Sequence, residues 1–476
     1  MRIPATPPIL AGLLKKGISD KLIRALNGVD ELPRTTDYLH WDKLKHLAAP
    51  AGLSSEEWWF VLKMNRRAQR SQVPLADAKG QRFSFSLTPS IFEALHHIDQ
   101  RCAGAIAMPE QVTNEATKER YYVSSIMEEA VTSSLLEGAV TTREKARDML
   151  RSGRKPHDKS ERMVLNNFVT MQHLRTIRDK PLTPERVLEI HRMISCGALD
   201  KEDGAGRLRR ADEYIEVSDD YDTVLHTPPP AEQLPTRLQA MCDFANELEL
   251  KGYLHPAIRA IVLHFWLAYD HPFVDGNGRT ARALFYWSML RGGFWLFEFI
   301  SISQALLRAP TDYYRAFLHT ETDDNDLNYF ILHQLKCIET SISDLHKYLD
   351  RKTAERKTLH TRIRGLDGLN HRQEALLIHA LDHTSGSYTF ESHKTSHGIA
   401  AMTARKDLEG LEALGLLASH MRGKARVFYP VPGLDQKLDE LHGAKQEAAQ
   451  ALEDQFSDLF GKDTPPLAKI SEAPKS

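Results

Sequence analysis

The sequence predicts a mostly α-helical protein of several domains, with one β-hairpin set into its largest helical region and a smaller helix-and-hairpin unit near the C-terminus. Three observations carry this expectation. Apolar residues recur at helical spacing through most of 88–345. In HPAIRAIVLHFWLAYD (255–270), Ile258, Ile261, Val262, Phe265 and Trp266 form a core-facing stripe. One stretch, EYIEVSDDYDTVLHT (213–227), instead alternates in two short runs around a polar turn and stops at three prolines, which reads as a lone hairpin. Finally, 476 residues are too many for a single compact core, so two to four domains are expected.

Composition narrows the function classes. A hydrophobic fraction of 42% and an aromatic fraction of 8% are ordinary for a globular protein. Lys and Arg total 62 against 64 Asp and Glu, so the chain has no overall polyelectrolyte character that would draw it to nucleic acid or an anionic membrane. Cys102, Cys196, Cys242 and Cys337 lie far apart without a C-x-x-C spacing, which argues against a zinc ribbon or a redox pair and for reduced thiols in a cytosol. PPILAGLL near the start is too short and proline-rich for a signal segment, and no run of eighteen apolar residues follows. The expectation is a soluble, cytoplasmic protein with no membrane partner.

In chain order, 1–80 reads as an N-terminal region with an amphipathic helix at EEWWFVLKMNRRAQ (56–69). The main helical region is 81–345. Within it YYVSSIMEEAVTSSLLEG (121–138) puts Ile126, Ala130, Ser133 or Ser134 and Glu137 on one strip, with Gly138 as a natural helix stop. Residues 346–368 are charged enough for a solvated linker helix. A compact unit occupies 369–433, followed at 434–476 by a charged helical run and a polar, proline-bearing tail expected to be disordered.

The densest chemistry lies in HPFVDGNGRTARALF (271–285). His271 ends one helix and Pro272 prevents further winding. Gly276 and Gly278 let the loop close tightly, and a new helix starts near Asn277 or Gly278. A glycine-flanked helix N-terminus presents free N–H groups and the positive end of the helix dipole to an anion. Arg279 and Arg282, three apart, both reach that seat, and guanidinium forks match phosphate oxygens. Asp275 is a hard oxygen ligand suited to Mg²⁺, and His271 can accept a proton near neutral pH. A histidine at a helix end is often only a cap and Gly-Asn-Gly only a turn. Their concentration with an acid and two arginines within 271–282 points instead to phosphoryl or nucleotidyl transfer. The Walker pattern is absent.

These residues carry a resemblance. HPFVDGNGRTAR is similar at every fixed position to the signature of the Fic (filamentation induced by cAMP) family, H-x-F-x-[DE]-G-N-G-R-x-x-R. The resemblance covers about 80–345, and RTTDYLHWDKL and SEEWW resemble the lead-in of one bacterial subgroup. It implies a Fic-type helical bundle and transfer of AMP from ATP to a Ser, Thr or Tyr hydroxyl of a target protein, with release of pyrophosphate. His271 would be the base, Phe273 the loop's anchor in the core and Asp275 the Mg²⁺ ligand. Gly276, Asn277 and Gly278 would line the anion hole, with Asn277 on the α-phosphate, Arg279 on the β-phosphate and Arg282 on the γ-phosphate. The hairpin would be a flap that pairs with the target backbone, through Tyr214, Ile215, Glu216, Val217, Val224, Leu225, His226 and Thr227. Tyr313 and Tyr314 are candidates for the adenine pocket.

SSLLEG (133–138) resembles the family's inhibitory pattern, [ST]-x-x-x-E-[GN], through Ser133, Glu137 and Gly138. It implies that Glu137 pairs with Arg282 and occupies the γ-phosphate seat. In some relatives the same glutamate positions a water that removes AMP, and the sequence does not separate these roles. The unit at 369–433, three helical patterns and a hairpin, resembles a winged helix-turn-helix domain. Thr403, Arg405, Lys406, Arg422, Lys424 and Arg426 would then meet DNA. Yet 369–433 carries seven Lys and Arg against six Asp and Glu, and Asp407, Glu409 and Glu412 lie on the recognition helix itself, so protein docking or homodimer formation is the stronger reading. The leading function is an autoinhibited protein adenylyltransferase. The alternatives are a de-AMPylating hydrolase using Glu137 and a DNA-binding regulator with a Fic sensor core.

Overall fold

The structure, a computed structural model, describes residues 38–103, 115–364 and 368–441 apart from short gaps at 51, 201, 220, 248–251, 383–385 and 423–424, together with a few residues before 38. It divides into two compact units, Met1–Lys347 and Tyr348–Ser476. The first contains α1 (Trp41–Leu44), α2 (Ser55–Arg67), β1 (Ser71–Ala76), β2 (Arg82–Phe85), α3 (Pro89–Ile98), α4 (Glu115–Leu136), α5 (Arg143–Ser152), α6 (Lys159–Ile177) and α7 (Pro184–Ser195). It continues with β3 (Val217–Ser218), β4 (Val224–His226), α8 (Leu234–Ala245), α9 (Pro256–Asp270), α10 (Asn277–Arg291), α11 (Ile302–Arg308) and α12 (Pro310–Thr322). Next comes α13 (Asn328–Arg364), and then α14 (His371–Asp382), β5 (Tyr388–Thr389), α15 (Phe390–His397), α16 (Ala401–Ala413), β6 (Leu417–Arg422) and β7 (Ala425–Pro430).

Local sequence explains where these helices begin. Ser54 and Glu57 form a reciprocal capping box on α2. Thr88, Thr142, Asp158 and Thr183 cap α3, α5, α6 and α7 through their side chains. Proline occupies the first helical position of α3, α7, α9 and α12, where its missing N–H costs nothing. The core centres on α9 and α10, whose residues are buried on nearly every face. A helix buried all round must be enclosed by others. Here α4, α6 and α8 pack around the pair, and Trp287 Nε1 of α10 donates to the Ile177 carbonyl at 3.2 Å.

The expected lone hairpin is not the only β element. β1 and β2 form a second antiparallel hairpin, paired Ser71↔Phe85 and Gln72↔Ser84, with an irregularity before Ala76↔Arg82. Its turn is held by Asp77, whose Oδ1 accepts from Lys79 N–H at 2.9 Å and Gln81 N–H at 2.8 Å. β2 is tied to the connection between α12 and α13 by Ser84 N–H to Asn325 O (3.1 Å) and Leu327 N–H to Ser84 O (2.9 Å). Buried Lys63 of α2 pairs with Asp323 there, so the N-terminal residues are stitched onto the helical bundle.

The residues read as a linker helix at 346–368 are largely the continuation of α13, which runs unbroken from Asn328 to Arg364. In the second unit β7 lies between β5 and β6, and Leu376, Leu377, Leu408, Leu411 and Phe428 share one core. Residues 434–441 are helical. Gly423, Lys424 and the tail beyond 441 lie outside the described residues.

Candidate active site

α9 delivers His271 at its C-terminus. The residue adopts a left-handed backbone (φ 44°) while its N–H still bonds to the Leu267 carbonyl at 3.0 Å, and Pro272 turns the chain away. The loop then folds on itself. Asn277 accepts from Phe273 N–H at 2.9 Å and donates to the Phe273 carbonyl at 2.8 Å, which closes the bend. Phe273 is fully buried and stacks flat on His191 of α7, ring centroids 3.6 Å apart. Gly276 takes φ 83° as the N-cap of α10, a conformation a side chain would strain.

Gly278 lies beneath a side chain from another helix. A Cβ there would lie 2.2–2.7 Å from the Glu137 carboxylate, so that carboxylate rests directly over the first turn of α10. Glu137 comes from the end of α4, where Gly138 (φ 83°) and the bonds Ala139 N–H to Ser134 O and Gly138 N–H to Leu135 O form a Schellman stop. Arg282, 1% exposed, donates to Glu137 Oε1 at 3.0 Å through Nη1, to Ser133 Oγ at 2.8 Å through Nε and to the Ser133 carbonyl at 3.0 Å through Nη2. Ser133, Glu137, Gly138, Gly278 and Arg282 therefore meet at one place.

Arg279 is fully buried. Its Nη1 donates to the Ile194 carbonyl, its Nη2 lies 3.6 Å from Asp275 Oδ1, and its Nε and Nη2 make no hydrogen bond. A buried, charged donor without a partner is costly, on the order of 1–3 kcal/mol or more. The open N-terminus of α10, which has no side-chain cap, lies beside it. Unpaired guanidinium donors at an uncapped helix N-terminus are chemically suited to an anion. Asp275 is half exposed, one oxygen accepting from Gly276 N–H at 2.5 Å. Among the described residues no three His, Cys, Asp or Glu side chains gather as a metal site. A single carboxylate beside an anion seat fits Mg²⁺, which takes one or two protein oxygens plus phosphate and water.

His271 is partly exposed to solvent, yet burial of its ring pushes its pKa down to about 4, with His226 adding to the effect. The ring is therefore neutral at pH 7.

Sequence reasoning missed the supports behind the loop. His191 Nδ1 accepts from Gly206 N–H at 3.1 Å, so Nε2 carries the hydrogen that it donates to the Asp275 carbonyl at 2.9 Å. Arg209 grips the His271 carbonyl through Nε (3.1 Å) and the Pro229 carbonyl through Nη2, while its own N–H bonds to the Pro272 carbonyl at 2.9 Å. The available signal was GAGRLRR (204–210). A Cβ on Gly204 would come within 2.7 Å of Val274, and one on Gly206 within 2.7 Å of Arg192. Gly204 thereby allows this segment to press against the loop, and Gly206 allows it to press against α7.

The hairpin at 213–227 is shorter than expected. Among its described residues only Val217–Ser218 and Val224–His226 pair, with Asp219 accepting from Tyr221 and Thr223 N–H at 3.0 Å each. Tyr214, Ile215 and Glu216 precede the strand and Thr227 follows it. Tyr214 and Tyr221 are 75% and 84% exposed, and Val224 is 41% exposed. Tyr313 does not offer a face to a nucleotide. Its ring is buried and its hydroxyl lies 2.9 Å from His264 Nε2 and against Arg282. Tyr314 is 38% exposed.

In the second unit Thr403, Arg405 and Lys406 lie on α16 and Arg422 and Arg426 on the hairpin strands. Arg405 pairs with Glu409 at 3.0 Å, and Arg426 bridges Glu409 (3.2 Å) and Glu412. Asp407 faces inward, accepting from Arg372 Nε at 2.7 Å and Asn370 at 2.8 Å. The carboxylates of this helix thus neutralise two of the arginines. Among the described residues, no helix is long and apolar enough to cross a membrane.

Residues 181–289 match the Fic/DOC family. The protein adenylyltransferase Fic of Nematostella vectensis is 28% identical over 243 residues, 50% of this chain and 51% of that protein. The protein of the same name from Drosophila willistoni is 31% identical over 133 residues, 28% of this chain and 24% of that protein. A solved Fic family protein from Desulfovibrio desulfuricans aligns with TM-score 0.49 and 18% identity, over 73% of this chain and 97% of that one. The chain thus spans about half the length of the first of these curated relatives and about a quarter of the second.

Proposed function

We propose that this chain, a member of the Fic/DOC family through residues 181–289, is a protein adenylyltransferase held in check by Glu137. The observation that supports it best is the buried, partly unpaired Arg279 beside the open N-terminus of α10, with neutral His271 at the same loop. In this reading His271 takes the proton of a Ser, Thr or Tyr hydroxyl on a target protein. The hydroxyl oxygen bonds to the α-phosphorus of ATP, the bond to the β-phosphate oxygen breaks and pyrophosphate leaves. The proton remains on His271 until solvent removes it. The α10 N-terminus, with Gly276, Gly278 and the remaining Asn277 amide hydrogen, holds the α-phosphate. Arg279 supplies its unpaired donors to the β-phosphate. Asp275 would hold Mg²⁺, which supplies charge neutralisation to the phosphates.

Arg282 is the proposed γ-phosphate ligand, and Glu137 competes for it. The carboxylate over Gly278 and on Arg282 supports a chain that binds nucleotide poorly until α4 shifts or Glu137 swings out. The hairpin at 213–227 is the proposed target seat. The neutralised arginines of α16 and β7 favour protein docking over DNA for the second unit. The buried thiols of Cys102, Cys242 and Cys337, each pushed up to about 12 by burial, are consistent with a cytoplasmic protein of reduced cysteines. The test is incubation of the chain with labelled ATP and Mg²⁺. Covalent label on the chain or an added extract is expected in Glu137→Gly and absent from Glu137→Gly/His271→Ala. Label that survives loss of His271 contradicts the reading.

A further inference from the structure

β4 ends on His226, whose side chain is only 9% exposed and whose two ring nitrogens both meet acceptors. Nε2 lies 2.7 Å from the Tyr269 carbonyl and Nδ1 lies 2.8 Å from Glu321 Oε2 of α12. A carbonyl only accepts, so Nε2 carries a hydrogen. A carboxylate also accepts, so the ring satisfies both partners as the imidazolium. Burial alone would lower its pKa, but Glu321, the Tyr269 carbonyl and Asp270 outweigh that and raise it. Asp270 is itself engaged by Arg237 Nε at 2.8 Å and Trp266 Nε1 at 3.0 Å, which leaves Glu321 as the ring's direct counter-ion. The other charged neighbour of the loop, Arg209, is held between the Pro229 and His271 carbonyls.

The location gives this pair its meaning. Tyr269 lies in the last turn of α9, and the residue two further on is His271. The hairpin is therefore fastened to the same stretch of backbone that presents the proposed base, by His226 at its second strand and by Arg209 where it exits. We infer that His226 is a positioning residue, a charged latch that sets the height of the hairpin over His271 by joining strand β4 to Tyr269 and Glu321. The inference rests on the proposed function for the hairpin's role as target seat, and not for the latch itself. The positive ring also contributes to holding His271 neutral, as the second influence after burial.

Two measurements on the full chain separate these parts. Amide hydrogen exchange followed by mass spectrometry reads the hairpin directly and requires no catalysis. His226→Ala should speed exchange in 215–227 by about tenfold or more, with α9 and α10 unchanged, as local opening of one unit predicts. Glu321→Gln, at a partly exposed position, should give a smaller rise, and it decides the matter if the first variant does not fold. Hairpin exchange unchanged in the variants that fold overturns the latch. The second measurement is self-labelling by ATP in the Glu137→Gly background. His226→Ala should lower kcat by about tenfold with KM for ATP nearly constant, and move the acid limb of the profile to higher pH. A rise in KM for ATP with kcat unchanged overturns the positioning role. Absence of label from every chain refutes the adenylyl-transfer reading instead, and the exchange result still judges the latch.

Discussion

Replacing Glu137 by Gly should move activity and stability in opposite directions, and the site geometry sets the scale. The glutamate makes one charge-assisted hydrogen bond to Arg282 at 3.0 Å, with the arginine 1% and the glutamate 23% exposed. Such bonds contribute about 1.5–3 kcal/mol. A phosphate that no longer has to displace the carboxylate recovers this amount, roughly 10- to 100-fold in labelling at subsaturating ATP. Arg282 would keep Ser133 Oγ and the Ser133 carbonyl, so it stays in place, but one buried N–H loses its partner. That costs about 1–3 kcal/mol of folding stability without nucleotide. Glu137→Gln, whose amide oxygen can still accept from Arg282, should give a smaller rise. The assay is labelled-ATP incorporation beside thermal melting of the same preparations. Labelling unchanged or reduced in Glu137→Gly, in a chain that melts cooperatively, would refute the reasoning.

Other expectations follow from the same geometry. Phe273→Ala removes a fully buried ring stacked on His191 and should cost about 3–5 kcal/mol, read as a lower denaturant midpoint together with lost labelling. Ser133→Ala takes the acceptor from Arg282 Nε and should destabilise by about 1–3 kcal/mol, read by the same melt. His191 and His271, each lowered to about 4, and His40 and His319, each lowered to about 3, are all shifted chiefly by burial. The unfolded chain binds protons first, so their contribution is complete above the ordinary histidine value of about 6.5 and is lost as pH falls from there towards 4 and 3. Stability measured by denaturant should decline over that window, and a flat profile would contradict it. Duplex DNA should bind weakly at physiological salt, because Arg405 and Arg426 are paired with Glu409 and Glu412, and a gel-shift titration checks this.

The site was legible where its chemistry is local in the chain. The two buried helices and the turn at Gly276 both follow from 255–285. The Glu137–Arg282 contact spans 145 positions, and it was readable because a short motif marks its distant half. The supports of the loop carry no such mark. His191 and Arg209 act on backbone carbonyls, and a carbonyl leaves no trace in a sequence. The hairpin β1–β2 was hidden by its short alternation and by Pro74, which fits within β1 of a two-stranded hairpin. Tyr313 illustrates a different limit. An aromatic pair suggests a base-stacking face, but tertiary packing turned one ring into the core against Arg282 and left the other partly outside.

The central claim is that the chain transfers AMP from ATP, with His271 as the base, at a site Glu137 restrains. Intact-mass measurement tests it most directly, on wild type, Glu137→Gly and Glu137→Gly/His271→Ala after incubation with ATP and Mg²⁺. The account predicts an added AMP on the Glu137→Gly chain or a co-incubated protein, little on wild type and none on the double variant. An equal adduct in the double variant, or no adduct in any chain or co-incubated protein, would contradict it.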